Sequence, residues 1–524
     1  MTDSRQYEVQ REVDRKATSS FYTGQSGIEV IRHFLSSLEL KEDITVMDPF
    51  MGSGVLLSSI RDVIRPKRVL GIEINQAPYK LAKTLLYTIY GSDKVDVRIG
   101  DAFSLGWEYK DVDLVVTNPP FTRWEILPED VRRTVLEPFF SHGYQPYIDR
   151  KTQNFHILGL LLIDHLLKDD GYVISVLPAA TFFTVQGNGI KQLLAERYDL
   201  LSVTETKEND GSFCSGSGCK ELIIVARKRK NPDRCTKFYQ YNSKLPKHIN
   251  FVDSVQTTKL SGLLYDNWMS LFNYDKAKKL VELLQEGLEK GHLRYLQREE
   301  ISRGMRSEGV EFFAFPNKFW KILEERENDI VITDSEEELV IQRKYLLPCL
   351  RKPDHYKSYI ILKPVDYMLC INDEPEGDVK EYIRYGLEKK YLSHIPALRR
   401  CGDNWYRHIA KRAARKEGYG HVFIPNKLDL KTCKIYAYYS NKPVFATENF
   451  YVITTNNPLI ERWFNSYIIK DYYMFFSRRH SEHWVGFNKC DYLKIPIPAN
   501  NLDSERFWQY VKKWGKLDER MERK

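Results

Sequence analysis

"ITVMDPFMGSGVLLSSIRDVI", residues 44 to 64, contains the change of pattern on which the fold turns. Ile44 to Asp48 reads as a short buried strand that closes on an acid. Pro49 cannot donate to a ladder, and Gly52 and Gly54 allow a tight turn before an apolar helix takes over to residue 64. Strand, glycine turn and helix in that order open a βαβ unit.

The same alternation continues outward. Strands are predicted at "RVLGIEI" (68 to 74), "VDVRIGD" (95 to 101), "DLVVTN" (113 to 118), "GYVISVLP" (171 to 178), "LLSVTET" (200 to 206) and "ELIIVARK" (221 to 228). Helical segments such as "QAPYKLAKTLLYTIY" separate the early ones. Seven strands alternating with helices predict an α/β fold with a mainly parallel seven-stranded sheet, covered on both faces and binding its ligand at the strands' carboxyl ends.

At 524 residues the chain is too long for one ordinary core, so two or three domains are expected. Beyond "ARKRKNPDRCTK" the alternation lapses and aromatics become dense, as in "NWMSLFNYD" and "DYYMFFSRRH". A boundary near residue 240 follows, giving domains 1–240 and 241–524. The longest apolar run, "FHILGLLLIDHLL" (155 to 167), is broken by His156, Asp164 and His165 and is too short to span a bilayer, so it reads as a buried helix. The charged start "MTDSRQYEVQREVDRK" carries no secretory signal, and the expected location is the cytoplasm. Eight cysteines without a repeated CxxC argue for thiols and against disulfides or zinc; Cys214 and Cys219 are the nearest pair. No metal is expected.

Three acids close three successive strands: Asp48, Glu73 and Asp101. A carboxylate at the end of the second strand can accept from both hydroxyls of a ribose. One after the third can accept from an exocyclic amine, with Phe103 packed on a purine. The plainer alternative for each acid is a cap on the next helix. A dinucleotide fingerprint needs a third glycine at residue 57, where Leu57 stands, and the chain lacks a Walker GxxxxGK[ST]. The pattern is that of a nucleoside site without a triphosphate grip. Downstream, "LVVTNPPFTRW" (114 to 124) runs a strand into Asn118, Pro119, Pro120 and Phe121, a stiff extended loop that fixes its polar groups; an ordinary strand-ending turn is the alternative.

The succession "FYTGQSG", "DPFMGSG", "GIEIN", "GDAF", "NPPF" and "GYVISVLPAATFF" resembles the ordered motifs of S-adenosylmethionine-dependent methyltransferases that act on the adenine amino group in DNA. The order is most similar to the gamma class of restriction and modification systems. The resemblance covers residues 20 to 230, and more loosely "YLLPCLR", "NFYVITTNN" and "YLKIPIP" in a C-terminal α+β target-recognition domain. It implies a Rossmann-like catalytic domain and S-adenosylmethionine as cofactor. Tyr22 and Thr23 would lie by the methionine end of that cofactor, with Asp48, Phe50, Gly52 and Gly54 forming the turn beneath it. Glu73 would hold the ribose, and Asp101 the adenine beside Phe103. Gly24 stands where the family often has proline.

The resemblance also assigns the opening loop. An adenine amino group is a poor nucleophile because its lone pair is delocalised. The Asn118 side-chain oxygen and the Pro119 carbonyl can accept both amino protons and favour a tetrahedral nitrogen. Phe121 would stack on a base flipped out of the duplex, with Phe213 on the other face or else in the core. Ring-carbon chemistry would need a thiolate; Pro348-Cys349 lies far from the cofactor motifs and reads as coincidence.

Net charge is +8, and the distribution says more. From Arg399 to Lys416 seven basic residues (Arg399, Arg400, Arg407, Lys411, Arg412, Arg415, Lys416) face one acid, with Trp405 and Tyr406 interleaved, so the segment reads as phosphate-contacting rather than as a solvated helix face. Arg478, Arg479 and His480 are further candidates for DNA. The implied partners are duplex DNA and a separately acting cognate endonuclease, with no membrane and a monomeric state. Alternatives are an RNA adenine methyltransferase, a fused nuclease on Asp199 with Glu205-Thr206-Lys207, which reads as chance, and a catalytically silent DNA-binding subunit.

Overall fold

Consecutive residues of the first strands point to opposite faces, as a period of two requires. Val46, Val69, Leu114 and Val116 enter one buried cluster and Met47, Leu70 and Val115 another. The strands are β1 (Thr45–Asp48), β2 (Arg68–Glu73), β3 (Val95–Ile99), β4 (Val112–Thr117), β5 (Leu167–Pro178), β6 (Asp199–Thr206), β7 (Glu221–Arg227), β8 (Cys235–Tyr241) and β9 (Ile249–Gln256). The computed structural model describes residues 23–121, 129–148, 154–206, 213–214, 220–229, 231, 233–242, 248–260, 262, 267–387, 395–429, 432, 434–479 and 484–522.

The nine strands form one sheet in the order β3-β2-β1-β4-β5-β7-β6-β8-β9. β1 to β5 run parallel, and order reverses between β1 and β4, which is where such sheets bind ligands. The expected mainly parallel seven-stranded sheet is realised as a mixed sheet of nine strands. β7 is antiparallel to both β5 and β6, and β8 and β9 extend the edge, with β9 antiparallel to β8. Strand direction leaves no mark in residue periodicity, and "FVDSVQ" is only half-buried, so its apolar signal is weak. The helix Phe155–Leu166 occupies the apolar run that was read as buried. Inside it the Asp164 carboxylate pairs with Arg197 and accepts from the Tyr144 and Tyr198 hydroxyls at 2.7 and 2.8 Å, which is how a charged residue is tolerated there.

The chain divides into two units, one running to Lys278 and taking back Met474–His483, the other holding Lys279–Tyr473 and Trp484–Lys524. This division lies later than residue 240. The aromatics that read as a change of domain, Trp268 and Phe272, plug into the core of the first unit instead, together with Met269. The second unit is mixed α and β. A seven-stranded sheet there runs in the order Ile301–Arg303, Phe450–Ile453, Tyr419–Pro425, Tyr438–Ala446, Leu346–Leu350, Asp366–Leu369, Ala314–Phe315. Its core is aromatic, with Phe312, Trp320, Tyr382 and Trp405 packed together. Among the described residues no helix is long and apolar enough to cross a membrane.

Candidate active site

Asp48 ends β1 and is 1% exposed. Its Oδ1 accepts from the Phe50 backbone N–H at 3.0 Å and from the Thr117 hydroxyl at 2.5 Å. Thr117 is the last residue of β4, so this bond joins the two strands at the reversal point. Burial pushes the Asp48 carboxyl up to about 7, against the lowering effect of the two hydrogen bonds; Glu73 adds to the rise.

Glu73 ends β2 and ties down the glycine turn. Its Oε2 accepts from the Gly52 N–H at 2.9 Å and its Oε1 from the Asn75 N–H at 2.7 Å. Burial raises this carboxyl too, opposed by those backbone bonds. Gly52 (φ 54°) and Gly54 (φ 78°) both adopt the left-handed conformation, so the turn requires them to be glycine. Asp101 realises the capping alternative: it accepts from the Phe103 N–H at 3.0 Å at the start of the helix Ala102–Leu105, and burial raises its carboxyl. Phe103 is only 6% exposed and packs on Phe50 and Phe155 with ring centres 5.5 and 5.6 Å away. Phe50 and Phe155 keep partial exposure, whereas Phe103 does not.

Three acceptor carboxylates and a glycine turn at one sheet edge suit a ligand that offers an ammonium, ribose hydroxyls and an exocyclic amine. Ser53, buried between the two glycines, has a hydroxyl with no hydrogen-bond partner among the described residues, an orphan that such a ligand would satisfy. A carboxylate has about four lone-pair directions, so Glu73 retains accepting capacity beyond its two backbone bonds. The residues present fit S-adenosylmethionine.

Asn118 follows β4. Its amide Nδ2 donates to the Thr23 hydroxyl and to the Cys214 thiol, each at 3.2 Å. Thr23 and Cys214 form an antiparallel bridge, and the Gly24 N–H donates to the Phe213 carbonyl at 2.8 Å. Segments nearly two hundred residues apart thus converge on one amide. Because β7 is antiparallel, its start delivers Cys214 to the same edge as the ends of β1 to β5. Phe121 is half-buried and stands edge-on to His156, ring centres 6.2 Å apart. His156 is 3% exposed; burial holds its imidazole down to about 3, so it is neutral. In the helix Phe155–Leu166, a Cβ on Gly159 would lie 3.1 Å from Pro119 Cβ and 3.2 Å from Phe50 Cε2. That helix therefore supports the Asn118–Phe121 loop at van der Waals distance.

Several expectations change. Phe213 has no exposed surface and packs against Tyr241, centres 6.1 Å apart, so it is the core residue of its two readings and presents no face to a base. In the basic segment, Arg400 pairs with Glu308 at 2.6 Å and Arg407 with Glu374. Arg412 donates to Glu417 at 2.6 Å and to the Arg306 carbonyl at 2.9 Å, and Arg415 lies 3.9 Å from Glu417. Lys411 and Lys416 are exposed and make no ion pair among the described residues. Trp405 is buried and unavailable to nucleic acid. Cys349 is fully buried and its thiol is pushed well up by burial, which removes it as a nucleophile. Asp199 is fully buried and Glu205 pairs with Lys220 at 2.7 Å inside the sheet, so the nuclease match is structural. Tyr22, Lys207, Cys219 and His480 lie outside the described residues, as do the side chains of Arg399, Arg478 and Arg479.

Thr117, Cys214, His156 and Gly159 were not singled out as parts of the site. Gly159 did leave a signal, since an isolated glycine in an apolar helix marks close packing. The sequence marks Cys214 only by its spacing from Cys219, and its place beside Asn118 depends on the direction of β7.

A model of the family described as N-6 DNA Methylase matches residues 7–282. The type II methyltransferase M.BanIII of Aneurinibacillus aneurinilyticus is 24% identical over 292 residues, 50% of this chain and 48% of that protein. The methylase subunit of the type I restriction enzyme MjaVII of Methanocaldococcus jannaschii is 23% identical over 322 residues, 57% of this chain and 54% of that subunit. The chain thus spans about half the length of the curated relatives it matches. Among solved structures, the type IIL restriction-modification enzyme MmeI in complex with DNA matches in fold with a TM-score of 0.55 and 11% identity, covering 94% of this chain and 66% of that one.

Proposed function

We infer function from one premise: the chain belongs to the N-6 DNA methylase family. We propose that it is a gamma-class, S-adenosylmethionine-dependent methyltransferase that modifies the N6 amino group of a flipped-out adenine in duplex DNA, within a restriction-modification system. The observation that carries the reading is the seating of Asn118. Its amide is oriented by Thr23 and Cys214 one residue beyond the Thr117 hydroxyl that binds Asp48, so the acceptor loop and the glycine turn meet at one point.

S-adenosylmethionine, when bound, supplies an electrophilic methyl group on a sulfonium. Thr23, Asp48, Phe50, Gly52 and Gly54 would line its methionine side; Glu73 would accept from the ribose hydroxyls and Asp101 from the adenine amine. At the target base, the Asn118 side-chain oxygen and the Pro119 carbonyl accept the two amino protons and draw the nitrogen lone pair out of the ring. Pro120 holds that loop extended, and Phe121 offers its ring to the base. Fixed acceptors contribute by alignment, since both groups are placed before reaction. With the cofactor held by these residues, the amino nitrogen would take the methyl carbon, the carbon–sulfur electron pair would stay on sulfur, and the surplus amino proton would pass to water.

The second unit would hold the duplex and read its sequence, with Lys411 and Lys416 on phosphates. Expression in a methylation-deficient bacterium followed by modification-sensitive long-read sequencing tests the function. N6-methyladenine at a single sequence context is the expected outcome. Unmodified host DNA, or modification without sequence context, would refute it.

A further inference from the structure

Single exposed apolar side chains are ordinary on a protein surface, but the second unit gathers four within seven residues of one loop. Between the short helix Pro353–His355 and the strand Asp366–Leu369, Tyr359 is 46% exposed, Ile360 53%, Leu362 93% and Val365 49%. The loop is held rather than loose. At its neck the Tyr356 hydroxyl donates to the Cys349 carbonyl at 3.1 Å and accepts from the Val365 N–H at 3.2 Å. At its middle the Ile361 side chain is buried in a small core, its N–H donates to the Tyr439 carbonyl, and the Tyr439 N–H donates to the Tyr359 carbonyl, both at 2.8 Å. Lys357 and Lys363 flank the apolar tip and are exposed; neither is within ion-pair distance of an acid among the described residues, although the Lys363 charge is felt by Glu325. Residues 357 to 365 contain no acid.

We propose that this loop is a DNA-inserting wedge: Leu362 enters between base pairs of the bound duplex while Lys357 and Lys363 meet the flanking phosphates. The proposal rests on the DNA methyltransferase reading above. An apolar side chain projecting from a braced, cationic loop matches how proteins unstack a base step, where the side chain replaces lost stacking and the cations neutralise the backbone. Bracing matters because an ordered tip loses little entropy on insertion.

The test uses the full chain and a duplex oligonucleotide carrying the sequence at which the wild-type protein places its methyl group, with fluorophores at the two ends. Leu362→Ala is expected to leave Tm and S-adenosylmethionine binding unchanged, to weaken duplex binding about tenfold and to abolish the protein-induced shortening of the end-to-end distance. Leu362→Phe should retain both properties and Leu362→Glu should lose both. Unchanged affinity in Leu362→Ala overturns the proposal, and so does weakened affinity with the bend intact, which would mean surface contact without insertion. A wild-type protein that methylates no duplex removes the reading beneath it as well, and so is distinguishable from a failure of the wedge alone.

Discussion

The Asn118 amide nitrogen lies 3.2 Å from the Thr23 hydroxyl across a separation of 95 residues. That bond orients the amide whose oxygen, in the proposed reaction, would face the target amine. Thr23→Val keeps the shape and removes the acceptor, a loss of about 1 kcal/mol, and should lower kcat about five- to tenfold with little change in KM for DNA. Thr23→Ser should restore the rate. Equal rates for Val and Ser would mean that the hydroxyl does not position Asn118.

Asp48 makes stability depend on pH in a definite direction. Its folded-state value of about 7 lies above the ordinary 3.8, so the folded state holds the proton more tightly than the unfolded one. The associated stability is fully present below the ordinary value and is lost as pH rises through about 7, with a slope of at most about 1.4 kcal/mol per pH unit. Asp48→Asn keeps acceptors for Phe50 and Thr117 but does not titrate. Without cofactor, the Tm of Asp48→Asn relative to wild type should rise from pH 5 to pH 8. A constant difference would show that Asp48 ionises normally.

The first five strands and their terminal acids were readable because local rules and tertiary structure agree there: β1 needs its glycine turn whatever it packs against. The antiparallel insertion of β7 was not readable, and it decides that Cys214 joins Asn118 and that Phe213 turns inward. The basic segment shows a different limit of local reading. Sequence counts Arg400, Arg407 and Arg412 as charges, whereas their partners Glu308, Glu374 and Glu417 are near only in space or across a turn. The aromatics near 268 to 272 read as a new domain because density of aromatics carries no information about which core they enter.

Gly159 supports Pro119 and Phe50 from behind. Gly159→Ala gains helix propensity of about 1 kcal/mol but places a methyl where those neighbours must yield by a few tenths of an ångström. The expected result is a Tm close to wild type and a kcat at least about tenfold lower, because a small displacement of the acceptor loop spoils alignment. Wild-type turnover would mean that the loop tolerates movement.

Lys411 and Arg412 are adjacent yet have different tasks. Arg412 holds the turn through Glu417 and the Arg306 carbonyl, so Arg412→Ala should lower Tm. Lys411→Ala combined with Lys416→Ala should leave Tm alone and reduce the slope of log K against log salt by about 2, one for each phosphate contact. An unchanged slope would take the segment out of the DNA interface.

The Asn118 loop is proposed to direct methyl transfer to adenine in DNA. Wild-type and Asn118→Ala proteins, incubated with isotopically labelled S-adenosylmethionine and either unmethylated duplex DNA or total RNA, are compared by mass spectrometry of the released nucleosides. The expected result is labelled N6-methyldeoxyadenosine from DNA with wild type, a loss of about a hundredfold or more in Asn118→Ala, and cofactor binding retained in both. Label in RNA alone, in cytosine, or undiminished in Asn118→Ala would contradict it.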